Sequence, residues 1–354
     1  MKAIQKIIFI YALLLVGHTT RAQDPLFTQF QYTPTYLNPG LIGCGKNNLR
    51  LSAVTKIQWF NLYKPYKYFS GGADLSIYDD NQRNVLNLGL NVNHSSKGYL
   101  KNTGINAIVG RSFGTKNTDC GNWFLSMALQ AGISFNNVNP DQFIFIDQLD
   151  QTGITGSPSQ VDLFKTFNNK SYFDFAGGFV FAVGDFMIGG AAHHINKPNL
   201  SFNGKPEDGK LPMKATAHLS YRLEKENITL KPTLITQMQG KSSVVSIGTL
   251  IDYYEFPIEF GLWYRNAANL GSNSAFCVGI TWKWGEAKTV TSRTREYSNR
   301  MGISYDADIV KPGLNTSHGS LEFGIQKDVI INDNNYCPTS NSGVCSYRFP
   351  WEFF

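Results

Sequence analysis

Five of the six histidines (His94, His193, His194, His218 and His318) and a scatter of carboxylates invite an acid–base or metal reading. The adjacent pair His193-His194 is the sharpest of these signals, since a zinc site or a Ser-His-Asn hydrolase would need clustered imidazoles. The chain, however, contains no G-x-S-x-G, no H-E-x-x-H and no paired C-x-x-C. Neighbouring residues on a strand also point to opposite faces, so His193 and His194 are expected to part rather than to converge. Asp333, Asn334 and Asn335 have calcium-ligand chemistry but read as a solvated acidic turn. No catalytic, cofactor-binding or metal-ligating set follows from these residues.

Five cysteines remain to be placed. Cys337 and Cys345 can close locally, which is the simplest pairing, while Cys44 and Cys120 precede predicted strands. Cys277 falls mid-strand and is expected to stay a thiol. A second chemical candidate is the set Asp74, Asp174, Lys231, Glu259, Lys283, Asp306, Asp308 and Glu322, all on polar strand faces. Enclosed together they would form either a charged solute pathway or a network of internal ion pairs. Their mixed signs favour the network.

These side chains are positioned by strands. From Trp123 to Phe135 the odd positions are apolar and the even ones mostly small or polar. Phe173, Phe175, Phe179 and Phe181 oppose Asp174, Ala176 and Gly178. Phe276, Val278, Ile280, Trp282 and Trp284 oppose Cys277, Gly279, Thr281 and Lys283, and Met301, Ile303 and Tyr305 oppose Gly302, Ser304 and Asp306. A period of two gives each segment an oily and a polar side. The apolar run 175–192 is interrupted by five glycines and by Gly184-Asp185, a hairpin signal, so it reads as two strands rather than a helix.

A soluble sandwich or propeller would bury the oily faces, whereas a membrane barrel turns them to lipid. Segments near ten residues long, and aromatics at their ends (Trp59, Tyr66, Tyr68, Tyr78, Tyr253, Tyr254, Trp282, Trp284), favour the barrel. We count about fourteen strands, beginning near Leu49, Tyr68, Val85, Thr103, Asn122, Tyr172, Asp185, Met213, Ile228, Val244, Phe256, Ser274, Arg300 and Gly319. The fold class expected is all-β, a transmembrane antiparallel β-barrel with a non-barrel N-terminal segment and C-terminal tail. With the first strand rising from the periplasm, most inward turns are short and the longest connections face outward, as in bacterial barrels. The exception is the basic stretch Gly285–Asn299.

Lys2 and Lys6, an apolar run from Ile7 to Val16, and Thr20-Arg21-Ala22 form a secretory leader with cleavage expected after Ala22. The domain layout is then a leader over 1–22, a Pro- and aromatic-rich periplasmic segment over 23–48, a barrel over 49–329 and a tail over 330–354. Only 16% of residues are charged, 14% are aromatic, and the formal charge is +6 including the leader. So weak and dispersed a positive excess gives no argument for nucleic acid.

The segment over 23–48 is neither helix nor linker, because Pro25, Pro34 and Pro39 lack donors and its aromatics need cover. Phe27, Phe30, Tyr36 and Leu37 predict that it is ordered against the periplasmic end or the lumen of the barrel. Asp24-Pro25-Leu26-Phe27-Thr28-Gln29-Phe30, followed by Tyr36-Leu37-Asn38-Pro39-Gly40-Leu41-Ile42-Gly43, resembles the opening of the mature PorP/SprF family of the Bacteroidetes type IX secretion system. Members usually carry Ala where Gly40 stands. Tyr305-Asp306 matches a Y-D motif near the family's end, and Cys337-Pro338 its Cys-Pro tail.

The resemblance implies a non-enzymatic outer-membrane component of secretion and gliding, set in outer-membrane lipid. Its implied partners are periplasmic motor-ring or peptidoglycan-linked proteins and a secreted cargo or adhesin. It makes Asp24, Pro25, Phe27, Gln29, Phe30, Tyr36, Leu37, Asn38, Pro39, Gly43, Tyr305 and Asp306 the signature or partner-contact residues. The rival readings are a passive pore for a small solute and an outer-membrane enzyme. The final Phe349-Pro350-Trp351-Glu352-Phe353-Phe354 is equally a barrel-assembly signal or an aromatic docking peptide.

Overall fold

The computed structural model describes residues 24–44, 49–78, 84–114, 123–138, 143–151, 153–156, 159, 169–201, 209–253, 255–267, 274–285, 288–291, 294–309 and 313–329. Fourteen antiparallel strands build one sheet. They are β1 (Leu49–Gln58), β2 (Tyr66–Tyr78), β3 (Asn84–Lys97), β4 (Leu100–Gly114), β5 (Trp123–Val138), β6 (Lys170–Val183) and β7 (Phe186–His193). The second half comprises β8 (Lys214–Tyr221, extended by Leu223–Lys225), β9 (Ile228–Gln239), β10 (Ser242–Tyr253), β11 (Ile258–Ala267), β12 (Ala275–Trp284), β13 (Asn299–Asp308) and β14 (Ser320–Val329). Each starts within three residues of the position that the alternation predicts.

Every strand pairs with its neighbour in sequence, and β1 pairs with β14 from Leu49↔Val329 to Gln58↔Ser320. The sheet is therefore a closed barrel with no free edge, which satisfies every strand's backbone internally. Between β6 and β7 the two-residue turn opens on Gly184 at φ 55°, where a side chain would be strained.

Burial is inverted relative to a soluble protein. On β6, Phe173 is 67% exposed and Phe175 47%, while their neighbours Asp174 and Ala176 are 6% and 2% exposed. The same holds on β12, where Phe276 and Val278 face out while Cys277 and Thr281 face in. Each large apolar side chain left in water would cost about 1.5–3 kcal/mol. A continuous outer band of them is stable only against hydrocarbon, which excludes the sandwich.

The end where β1 begins is the near end and the opposite one the far end. The longest connections, over 139–169 and 194–213, lie at the far end, although the far turns Gly98-Tyr99 and Gly240-Lys241 are tight. Within Gly285–Asn299, two short strands, Lys288–Thr291 and Thr294–Glu296, pair at the near end. The leader, Asn334, Asn335, Asp333, Cys120, Cys337, Cys345, Arg293 and the aromatic tail lie outside the described residues. Cys44 and Cys277 are both buried.

Candidate functional site

The lumen is filled by the N-terminal segment. Residues 24–44 run inside the barrel from the far end to the near end, where they lead into β1. Short helical turns at Phe30–Tyr32, Pro34–Leu37 and Pro39–Leu41 satisfy the backbone where prolines prevent pairing with the wall. Phe30, Tyr32, Leu37, Leu41 and Ile42 are all nearly fully buried. The segment is thus a plug whose apolar side chains share a core with the inner wall, Phe30, Leu37 and Leu41 with Val180, Met187 and Trp263, and Ile42 with Ile108 and Ala128.

Its signature residues bind it to the wall or to itself. Asn38 Oδ1 accepts from Gly40 N at 2.8 Å, capping the turn that Pro39 begins, while its Nδ2 donates to Phe179 O at 2.9 Å. The same Nδ2 lies 3.0 Å from His218 Nε2. Tyr36 Oη donates to Pro25 O at 3.1 Å, and the Phe27 and Tyr36 rings meet edge to face at 5.4 Å, joining the two signature blocks. Phe30 packs edge-on against Trp263. Gly43 N donates to Asp74 Oδ2 at 3.0 Å. Tyr305 Oη instead reaches His318 O at the far rim. Tyr305 apart, which shares the outward face of β13 with Met301 and Ile303, these residues face the inside of the barrel, a location that sequence reasoning left open between lumen and near end.

Close approach depends on missing side chains. A Cβ on Gly324 would fall 2.3 Å from the Tyr32 ring, and one on Gly178 2.0 Å from Asn38 Oδ1. Two of the wall glycines that break the helical reading of 175–192, Gly178 and Gly189, lie against Asn38 of the plug.

Charges then hold it. Lys56 Nζ sits 2.8 Å from both Asp306 Oδ2 and Glu322 Oε1, and donates to Leu26 O at 2.8 Å. Arg265 Nη2 lies 2.8 Å from Asp306 Oδ2. Glu322 accepts the backbone amides of Thr28 and Gln29 at 2.8 and 2.9 Å, and Asp306 accepts the Thr28 hydroxyl at 2.7 Å. Gln29 Nε2 donates to Ser304 Oγ at 3.1 Å. Two cations and two carboxylates, all buried, cancel in charge; the carboxylates accept further hydrogen bonds from the plug, and Lys56 donates to its backbone. Nearer β1, Arg50 pairs with Asp74 at 2.8 Å and donates to Leu41 O. Asp306 and Glu322 were foreseen; Lys56, Arg50 and Arg265 were not, although Arg50 and Lys56 keep the period of two of β1's inner face.

The far end carries a second clasp. Asp24 Oδ2 lies 2.9 Å from Lys214 Nζ and 2.9 Å from His194 Nε2, and Asp24 N donates to Gln239 Oε1 at 2.8 Å. His194 Nδ1 is 2.9 Å from Asp174 Oδ2. Burial alone would push the imidazole down, but the two carboxylates raise it to about 9. Burial would conversely raise Asp24, yet Lys214 and His194 hold it well below the usual carboxylate range. His193 and His194 do not part as a strand pair would. β7 ends at His193, and His194 adopts φ 56°, which brings both rings to the lumen with centroids 6.4 Å apart. Among the described residues, no group of three His, Cys, Asp or Glu is arranged to hold a metal ion.

Solved structures of similar shape are bacterial outer-membrane barrels. The toluene transporter TodX of P. putida matches at 9% identity over 83% of this chain and 93% of its own, with a TM-score of 0.49. The monoaromatic hydrocarbon channel CymD matches at 11% identity over 88% and 95%, with a TM-score of 0.47. No curated protein matches the chain. The family of type IX secretion system membrane proteins PorP/SprF matches residues 19–334, so this outer-membrane barrel belongs to the PorP/SprF family.

Proposed function

We propose that the protein is a partner-binding barrel of the type IX secretion and gliding machinery. It is exported under its leader, cleaved after Ala22, and serves the export or surface display of a secreted cargo or adhesin. Its near end faces the periplasm, where the loop Gly285–Asn299 and the tail over 330–354 meet motor-ring or peptidoglycan-linked proteins. Arg293, Arg295, Trp351 and Phe354 supply the Arg and aromatic anchors at which interface energy concentrates.

The observation that carries this reading over a passive pore is the occupied lumen. The plug is bound by buried ion pairs at Lys56 and Arg265 and by the Asp24 clasp at the far end, so the barrel offers surfaces rather than a passage. Two measurements test it together. Affinity capture from envelopes should recover periplasmic secretion components, and lose them when Tyr336–Phe354 is deleted, with cargo display falling in parallel. Planar bilayers should show no steady conductance from the intact protein. Steady open-channel current, with cargo display unaffected by the deletion, would replace this reading with the pore.

A further inference from the structure

On the outer wall of the barrel, positive charge at the far end is confined to one sector. Directly paired residues on neighbouring strands share a face of the sheet, so the register sets Lys67 of β2, Ser96 of β3, Lys101 of β4 and Asn137 of β5 in one row. The next row towards the membrane is Phe69, His94, Thr103 and Phe135, and Ile105 stands below it on β4. Phe69, Phe135 and Ile105 are exposed members of the lipid-facing band, which fixes the row above them as outward. Lys67 and Lys101 are exposed as well. Lys64, just before β2, adds an ammonium at the same rim, with its Nζ 3.5 Å from the centre of the Tyr99 ring in the β3–β4 turn. Among the described residues, the outward faces of the other strands carry no Lys or Arg in their far halves, and those of β2–β5 carry no Asp or Glu.

Lys67 and Lys101 stand two strand spacings apart, about 10 Å. Their long, flexible stems let both ammoniums converge on one compact anion, with the Ser96 hydroxyl between them. A free anion would use these charges alone. A lipid uses the charges and the oily rows together, because its headgroup and its chains meet the wall at the two adjoining levels. Phosphate is the headgroup anion that matches, since Lys binds it as a point charge and its oxygens accept from several donors at once. We propose that Lys67, Ser96 and Lys101 bind the phosphate headgroup of a lipid in the outer leaflet, whose chains lie along Phe69, Ile105 and Phe135. His94 and Thr103, paired at 2.8 Å, form the polar step between the two levels. Calling that leaflet the outer one rests on the orientation proposed above, with the near end in the periplasm.

The test takes the whole mature chain in detergent and adds diphosphoryl lipid A, the same lipid stripped of its phosphates, or inorganic phosphate. Bound lipid is counted by mass spectrometry of the intact barrel. Diphosphoryl lipid A should bind saturably, and about tenfold or more tightly than the phosphate-free form. Lys67→Gln combined with Lys101→Gln should bring the two forms level, and raised salt should do the same. Lys327→Gln removes an exposed outward cation at the near end and should leave the preference intact. All three side chains are exposed, so the variants should keep the heat-modifiable migration of a folded barrel, and only folded barrels are scored. The site is overturned if the phosphate-free lipid binds equally, if the double variant keeps the preference, or if Lys327→Gln loses it too. Displacement of the lipid by inorganic phosphate at equal concentration would assign a free anion and overturn it as well. Orientation is read separately, by an epitope placed in the loop over 139–169. Its detection on intact cells supports the outer leaflet, and its concealment there overturns that assignment whatever the lipid binding shows.

Discussion

Gly40 lies directly on the backbone of Phe179: a Cβ added there would stand 2.7 Å from Phe179 Cα. The plug and the wall leave no room there for even one methyl group. Gly40→Ala must move backbone rather than a flexible side chain. Overpacking of this kind costs about 1–3 kcal/mol. The expected outcome is a lower temperature for loss of the compact form in heat-modifiability gels, with faster amide exchange around Asn38–Gly43. An unchanged transition would mean that the plug stands off the wall.

Lys56 is the shared cation of two buried carboxylates. Lys56→Met leaves Asp306 with Arg265 alone and Glu322 with no cation, an uncompensated burial that costs about 3–5 kcal/mol. The plug, rather than the barrel, should respond first, since Glu322 holds the amides of Thr28 and Gln29. Limited proteolysis should cut within 24–44 in the variant and not in the parent. The double change Lys56→Met with Glu322→Gln should recover part of the loss, because the second change removes the stranded charge.

The far-end clasp has a pH window. His194 has its imidazole raised from 6.5 to about 9, so the stability it contributes is complete below 6.5 and is lost as pH rises through about 9. Asp24 is depressed below 3.8, so its contribution is present above that value and is lost as pH falls through the depressed value. Amide exchange at Asp24–Thr28 should be slow across neutral pH and should accelerate above about 9, beyond the intrinsic base-catalysed rise. His194→Gln should abolish the alkaline step while leaving the acid one. An alkaline step that persists in His194→Gln would assign it to another group.

The outer face of β12 makes a prediction about lipid. Val278→Arg places a guanidinium on the band that includes Phe276 and Ile280. At mid-membrane depth this costs about 2–4 kcal/mol and should lower the yield of assembled barrel. Gln at the inward, buried Thr281 should be tolerated better if Tyr32 retains its hydroxyl contact with that position. Equal assembly of Val278→Arg and the parent would argue against lipid at β12.

The strands were readable because side-chain direction on a strand alternates regardless of what lies across the sheet. Phe173 and Asp174 announce their faces from sequence alone, and so the strand starts were found closely. The plug was not readable to the same degree. Its aromatics show that it must be covered, but what covers it is Gly302 and Gly324 near the other end of the chain, and Gly178 on β6. His193-His194 misled for a local reason, since the left-handed backbone at His194 is a property of the strand's end and not of either imidazole. Lys56 and Arg265 carried a visible polar-face signal, but only Glu322 and Asp306, on other strands, reveal what each one holds.

The hydrogen bond from Thr28 to Glu322 joins residues 294 apart in the chain. A contact of that separation must meet the loop-closure entropy of nearly the whole chain before it rewards it. Glu322 belongs to β14, the last strand among the described residues and the one that seals the cylinder against β1. The first described residues therefore lock only after the last strand arrives. A polypeptide truncated ahead of β14 lacks both the seam and the carboxylate that receives Thr28 and Gln29, and its N-terminal segment stays unlatched and open to proteases. The plug is in this sense a record, written ahead of β1, of whether synthesis reached β14.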